Sequence, residues 1–277
     1  MSTFSYQTIP GFFAQDDRLA DPIAIGAVPP RFGLIDESET RWSSLLDKLR
    51  ELNGADDTAS YKLVFFGRHG QGYHNVAESK YGTDAWDDYW AMLYGDGETT
   101  WGPDPELTTL GKAQAATAHA VWVQERAAST PIPLPETQYC SPMTRALDTH
   151  MITFEGVTTI RALVLENCRE EYGAHTCDQR KTRTQIAGAF PSVDIEPGLT
   201  EVDELWTAKR ETFEHVVRRA RAVLDRIFGE VDGEALFVSV TAHGGIINAF
   251  LNVLGRERYP LPTGGVLPVV IKATRAL

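Results

Sequence analysis

Arg68, His69, His74 and Asn75 fall in a short stretch punctuated by Gly67, Gly70 and Gly72, directly behind the wholly apolar run 63–66. Glycines let a backbone approach a ligand closely, and arginine offers a planar, permanently charged fork suited to phosphate or carboxylate. An anion is the guest such a loop would take. The same pairing of apolar run and charged residue recurs. Residues 137–140 lead into Ser141-Pro142-Met143-Thr144-Arg145, residues 160–167 into Arg169-Glu170-Glu171-Tyr172-Gly173, and residues 236–240 into Thr241-Ala242-His243-Gly244-Gly245. Two histidines, two arginines and a carboxylate are the parts needed for phosphoryl transfer through a phosphohistidine. One imidazole attacks phosphorus, the cations stabilise the equatorial oxygens, and a carboxylic acid protonates the leaving oxygen.

Those residues must be brought to one place, and the intervening patterns indicate how. Short apolar runs such as 63–66 suit strands buried on both faces. Between them lie helical patterns. Trp42, Leu45, Leu46, Leu49 and Leu52 recur at helical spacing over 41–53 until Gly54, and an alanine-rich helix begins near Thr108 or Thr109, either a plausible N-cap, and runs to about Ala128. Residues 211–228 carry Phe213, Val216, Val217, Ala220, Leu224, Ile227 and Phe228 on one stripe. A further helix reaches Leu254, and 266–271 reads as a last strand. Strands alternating with helices predict an α/β fold, a mostly parallel central sheet in a three-layer α/β/α sandwich. Ligands of such sheets bind beyond the carboxyl ends of the strands, where the arginines and histidines lie.

The 277 residues are read as a single domain over 1–277. Within it, residues 1–40 are too apolar for disorder and too rich in Pro, Gly and Asp for long elements, so a surface-wrapping N-terminal extension is expected. Residues 81–106 hold Tyr89, Tyr94, Trp86, Trp90 and Trp101. They form either a lid-like pocket wall or a satellite hydrophobic cluster.

A formal charge of −12 argues against nucleic acid and acidic membranes as partners, and requires a local cationic pocket for any anionic substrate. The three cysteines, Cys140, Cys168 and Cys177, lack the spacing of a disulfide framework or zinc site, and Cys168 and Cys177 are read as packing residues. No apolar run is long enough for a membrane span, and residues 1–17 lack the basic start and apolar core of a signal peptide. A cytoplasmic enzyme is expected.

The chain resembles the histidine phosphatase superfamily, in its phosphoglycerate mutase-like branch. The resemblance rests on Arg68-His69-Gly70 with Asn75, Leu107-Thr-x-x-Gly111-x-x-Gln114-Ala115, Ser141-Pro-x-x-Arg145-Ala and Ala242-His243-Gly244-Gly245, in family order across about residues 62–250. It implies that His69 is the phosphorylated nucleophile, and that Arg68, Arg145, His243, Asn75 and Gly244 surround the phosphate. Glu170 is the general acid by the Arg-Glu followed by Tyr-Gly pattern, with Glu171 the near alternative. Adjacent side chains alternating in direction should keep both from facing the site. His74 is placed behind the first residues of the site or on the substrate side. Arg180 and Arg183 either touch an anionic substrate or lie on an exposed helix face. Gly72 stands where many mutases and broad phosphatases carry Ser or Thr, and this variant, with Cys177-Asp178-x-Arg180 and the N-terminal Pro10-Gly-Phe-Phe-x-Gln-Asp-Asp, looks more like plant and fungal mutase-like proteins.

The function expected is a metal-independent phosphatase, without a cofactor, acting on a small phosphorylated substrate through phospho-His69. A phosphoglycerate mutase-type phosphotransferase and an inactive phosphate-binding protein are the competing readings. The intact histidines and arginines weigh against the last.

Overall fold

The computed structural model describes residues 4–229 and 235–275, so the first three residues of the N-terminal extension and the ends of the 1–277 span lie outside it. The chain begins with β1 (Phe4–Thr8), α1 (Pro22–Ile25) and α2 (Arg41–Ala55). Then come β2 (Ala59–Arg68), α3 (Tyr73–Tyr81), α4 (Thr83–Asp88) and α5 (Thr109–Arg126). The central part holds β3 (Thr137–Cys140), α6 (Thr144–Phe154), β4 (Leu163–Val164), α7 (Arg183–Ala189) and β5 (Asp194–Ile195). It closes with α8 (Phe213–Gly229), β6 (Phe237–Ala242), α9 (Gly244–Val253) and β7 (Val266–Arg275).

The strands form one sheet in the order β1-β7-β2-β6-β3-β4-β5. From β2 to β5 all pairs are parallel, with Leu63 opposite Phe237 and Tyr139 opposite Val240. β7 runs antiparallel to β2, and β1 antiparallel to β7, which the sequence patterns leave unspecified. Alternation along β2 makes three layers. Val64 and Phe66 pack with α8 and α9 through Val216, Ala220, Leu224 and Phe250. Leu63 and Phe65 face the other way, toward Trp42, Leu45 and Leu49 of α2 and Trp122 of α5. A strand with apolar residues at every position therefore needs helices on both sides, and the fold is the α/β/α sandwich expected.

Three local readings change. The N-terminal segment does more than wrap the surface: β1 extends the sheet, and Phe13 and Phe32 are wholly buried beside Trp42, with Phe32 edge-on to Phe65 at 5.6 Å. Aromatics spaced between turn residues are enough to anchor an irregular segment in a core. The apolar stretch 160–167 yields only a two-residue strand, because the chain turns into a tight helical turn at Glu166–Cys168. The aromatic segment 81–106 combines its two readings. Trp86, Trp101, Ala91 and Cys177 form a buried cluster, and Trp86 also faces the cleft described below.

Candidate active site

β2, β3 and β6 all end on the same edge of the sheet, and the segments that follow them close around one cleft. Among its lining residues are Arg68, His69, His74, Asn75, Arg145, Glu170 and Gly245. His69 leaves β2 with its backbone N–H on the Ala242 carbonyl of β6, and this parallel pairing brings it beside His243, 5.0 Å away between ring centres.

The glycine loop is held by the helix-start motif behind it. Thr108 caps α5 by accepting from the Gly111 N–H at 3.0 Å, so Thr108 rather than Thr109 is the N-cap. Its own N–H bonds the Gln71 carbonyl at 2.9 Å, and Gln114 accepts from the Gln71 N–H at 2.7 Å. Gly70 and Gly111 lie so close that a Cβ on Gly70 would strike the Gly111 carbonyl, and one on Gly111 the Gln71 carbonyl. Two glycines thus permit a close approach of loop and helix, and the Gln71 and Gln114 contacts fix it. Thr149 of α6 ties the loop to the arginine helix, accepting from the Gly70 N–H and donating to the Arg145 carbonyl.

His69 is buried, and its Nδ1 lies 2.7 Å from the Gly70 carbonyl, a contact that only an N–H can make. In the neutral ring the lone pair then belongs to Nε2, the atom a nucleophile needs free. Burial pushes the His69 pKa well below its usual value, and Arg145 and Arg68 push it the same way. His243 is fully buried with Nε2 on the Ser141 hydroxyl at 2.7 Å. Its pKa too is driven well down, by burial first and then by Arg145. His74 is similarly buried and similarly depressed, 5.4 Å from His69 between ring centres, and it lines the cleft.

The donors around these rings are incompletely used. Arg68 bonds the Leu261 carbonyl through Nη1. Its Nε, together with Arg145 Nε, His243 Nδ1 and His74 Nδ1, has no partner among the described residues. A buried polar atom without a partner costs on the order of 1–3 kcal/mol, and four such nitrogens beside one cleft mark where a ligand would satisfy them. Gly244, the first residue of α9, keeps ordinary contact with Arg68: a Cβ there would lie 3.4 Å from Nε. Asn75 uses its Oδ1 to accept from the Gly72 N–H at 3.0 Å, which orients its amide in the first turn of α3.

One expectation is corrected here, and one residue gains partners that its motif does not announce. Arg145 donates to the Cys177 carbonyl at 2.8 Å and to Asp178 at 2.9 Å. Burial would raise Asp178, but Arg210 and Arg145 hold its carboxyl below the usual range. Glu170 and Glu171 both line the cleft, because residues 169–173 are irregular and strand alternation does not apply to them. Glu170 accepts from the N–H groups of Gly245 at 2.9 Å, Ile246 at 3.2 Å and Glu171 at 3.0 Å, against the N-terminus of α9. A Cβ on Gly245 would overlap that carboxylate, which explains the second glycine after His243. Glu171 pairs with Arg210 at 3.1 Å, and its partial burial raises its pKa.

Arg180 is neither a substrate contact nor an exposed residue. It is buried, with Nε on Glu166, Nη1 on the Lys181 carbonyl and Nη2 on Thr200 and Val202. Arg183 bonds the Glu196 and Leu199 carbonyls away from the cleft. Asp178, Arg210, His175, Glu78 and Asp87 line the cleft without having been assigned to it from sequence. For Asp178 a signal existed, since an arginine carried into an interior needs a buried counter-charge. Arg210, in a polar run before a helix, gave none.

His175, Cys177 and Asp178 are the group of possible metal ligands found among the described residues. Their chemistry fits poorly: Asp178 is committed to two guanidiniums, and burial drives the Cys177 thiol well above its usual pKa, toward the protonated form that does not ligate. Cys168 is likewise buried, with a pKa pushed up to about 12. Among the described residues no helix is long and apolar enough to cross a membrane.

A family model described as histidine phosphatase superfamily (branch 1) matches residues 94–262. The chain belongs to the histidine phosphatase superfamily. It is similar to a probable phosphoglycerate mutase of Arthroderma benhamiae, 40% identical over 97% of this chain and 84% of the relative. It is also similar to phosphomutase-like protein 3 of Candida albicans, at 36% identity over 96% of this chain and 79% of that one. A probable phosphoglycerate mutase of Saccharomyces cerevisiae is 34% identical over 76% of this chain and 79% of its own length.

Proposed function

We propose that the protein is a phosphomonoester hydrolase working through a phosphohistidine on His69, without a metal ion. One observation carries the reading: a buried imidazole whose Nδ1 is held by Gly70, leaving Nε2 free, stands among buried nitrogens of Arg68, Arg145, His74 and His243 that have no partner among the described residues. In the first step Nε2 of neutral His69 attacks phosphorus. The P–O bond to the leaving group breaks as the N–P bond forms, and the departing oxygen takes a proton from a carboxylic acid. In the second step water attacks the phosphohistidine, gives its proton to the carboxylate, and inorganic phosphate leaves His69.

Arg68, Arg145 and His243 would stabilise the equatorial oxygens, with Asn75 and the start of α9 at Gly244 adding donors. The Ser141 hydroxyl, donating to His243 Nε2, would leave Nδ1 as the N–H that faces phosphate. Glu170 is the proposed proton donor, since its carboxylate lies against the helix that His243 caps, whereas Glu171 is engaged with Arg210. The relatives' names favour one further reading, a mutase that returns the phosphoryl group to the substrate frame instead of to water.

Rapid quenching during turnover of an aryl phosphate tests the proposal. Phosphate should be found on His69 as an acid-labile adduct, phosphate release should be stoichiometric with substrate loss, and EDTA should not slow it. Strict dependence on a divalent ion, or labelling of another residue, would overturn it. Retention of phosphate in an isomerised product would establish the mutase.

A further inference from the structure

The floor and the mouth of the cleft differ in how their charges are matched. The floor holds half-buried Arg68, buried Arg145 with its partner Asp178, and the three buried histidines, whereas Glu78, Asp87, Glu171, His175 and Arg210 are half-buried or exposed toward the mouth. Arg210 is the cation of the mouth among the described lining residues, and its charge is matched twice, by Asp178 at 2.8 Å and Glu171 at 3.1 Å. Among the described residues neither Glu78 nor Asp87 forms an ion pair with an arginine or lysine, although Glu78 is near enough to Arg68 to act on its charge. Glu78 accepts from the Thr83 hydroxyl at 3.2 Å, and Asp87 lies 3.8 Å from His175, a ring that burial and Arg210 shift toward the neutral form. Trp86, on the same wall, adds an indole of the kind that attracts cations.

Resting on the hydrolase reading of this site, we propose that its substrate is a phosphomonoester whose other end is a cation, of the class of amino-alcohol phosphates. The phosphate would fill the unpartnered donors of Arg68, Arg145 and His243 on the floor, and the ammonium group would lie between Glu78 and Asp87 beside Trp86. A substrate with a second anionic group, as in a phosphoglycerate or a bisphosphate, would instead bring that group against the carboxylates of Glu78 and Asp87 and find no uncompensated guanidinium among the described residues of the mouth. Like charges in such positions repel, and discrimination by repulsion is as effective as discrimination by attraction.

The test compares kcat/KM for O-phosphoethanolamine, n-propyl phosphate and 3-phosphoglycerate, with p-nitrophenyl phosphate as a reference for turnover itself. The cationic ester is expected to exceed the neutral one, and the neutral one the anionic one, by about fivefold at each step, the size of a partly exposed charge interaction. Raising the ionic strength should compress both ratios. Glu78→Gln and Asp87→Asn should each lower the cationic-to-neutral ratio, and the double variant should bring it close to one. A preference for 3-phosphoglycerate, or an unchanged ratio in the double variant, would overturn the charge assignment while turnover of the aryl ester left the hydrolase reading standing. Failure to turn over any of the four esters would remove the hydrolase reading, and this inference with it.

Discussion

Two clusters of buried arginine lie side by side beyond the strand ends, and they differ in what completes them. In one, Arg169 and Arg180 face Glu166 and Asp203, at distances of 2.6 to 3.0 Å. Every nitrogen of Arg180 has a protein acceptor, and Asp203, which burial would raise, is held low chiefly by Arg169. In the other, Arg68 bonds a lone carbonyl and Arg145 shares Asp178 with Arg210. Burial lowers even the Arg68 pKa. The first cluster is charge-matched within the protein, with Arg169 Nε its unpartnered nitrogen among the described residues, and holds the chain between β4 and α8 in place. The second opens on the cleft, where Arg68 Nε, Arg145 Nε, His74 Nδ1 and His243 Nδ1 have no partner among the described residues, and an anion would supply one. Burial and arginine content do not separate the two; the placing of the unpartnered nitrogens at the cleft does.

That contrast is broken most directly at His69. His69→Ala should lower turnover by several orders of magnitude with the thermal midpoint little changed, because the variant removes the group that would carry phosphate and no buried charge. Near-wild-type rates would end the nucleophile assignment. The arginines should then separate by what they damage. Arg180→Ala leaves Glu166 with Arg169 and strips the Lys181, Thr200 and Val202 carbonyls of their buried donor, and should cost about 3–5 kcal/mol of stability in denaturant melts, with kcat/KM of the folded fraction nearly retained. Arg145→Ala should cost about 3 kcal/mol in kcat/KM, with a stability loss softened because Asp178 keeps Arg210. If the two variants showed the same pattern, the clusters would not differ in role.

A smaller effect is expected from Glu170→Gln, visible as a dependence on the leaving group. An alkyl phosphate, whose departing oxygen is basic, should suffer far more than a nitrophenyl ester. Glu171→Gln should show no such selectivity. A selective defect at Glu171 alone would move the proton donor one residue along the chain.

The smallest and broadest effect concerns pH. His69, His74 and His243 have folded pKa values well below the usual 6.5, and that of His150 falls to about 4, in each case through burial first. A histidine depressed in the folded state binds its proton more readily when unfolded, so its contribution to stability is complete above about pH 6.5 and is lost as pH falls. Thermal midpoints should therefore decline from about pH 6.5 toward pH 4. In His150→Phe, which touches none of the proposed phosphate ligands, the slope should flatten. An unchanged slope would show that acid sensitivity comes from elsewhere.

Much of this was legible in the chain. Apolar runs followed by Arg68-His69, Arg145 and His243 indicate strands that end in charge, and a run apolar at every position must be covered on both faces, which is the three-layer sandwich. The helix-start motif could be read as a motif, but its use, Gly111 against Gly70 with Gln114 on Gln71, is a contact between segments about 40 residues apart. The order of the strands, with β7 antiparallel beside β2, depends on backbone pairings whose hydrogen-bonding groups are the same in every residue but proline, so composition carries little trace of it. The partners of Arg145, the common orientation of Glu170 and Glu171, and the sorting of Arg180 from Arg68 also belong to tertiary structure. A side chain's type fixes its charge and its donors, whereas which of those donors are already satisfied depends on what the fold brings within 3 Å, and that is the difference between an arginine whose nitrogens all meet protein acceptors and one left with a donor facing a cleft.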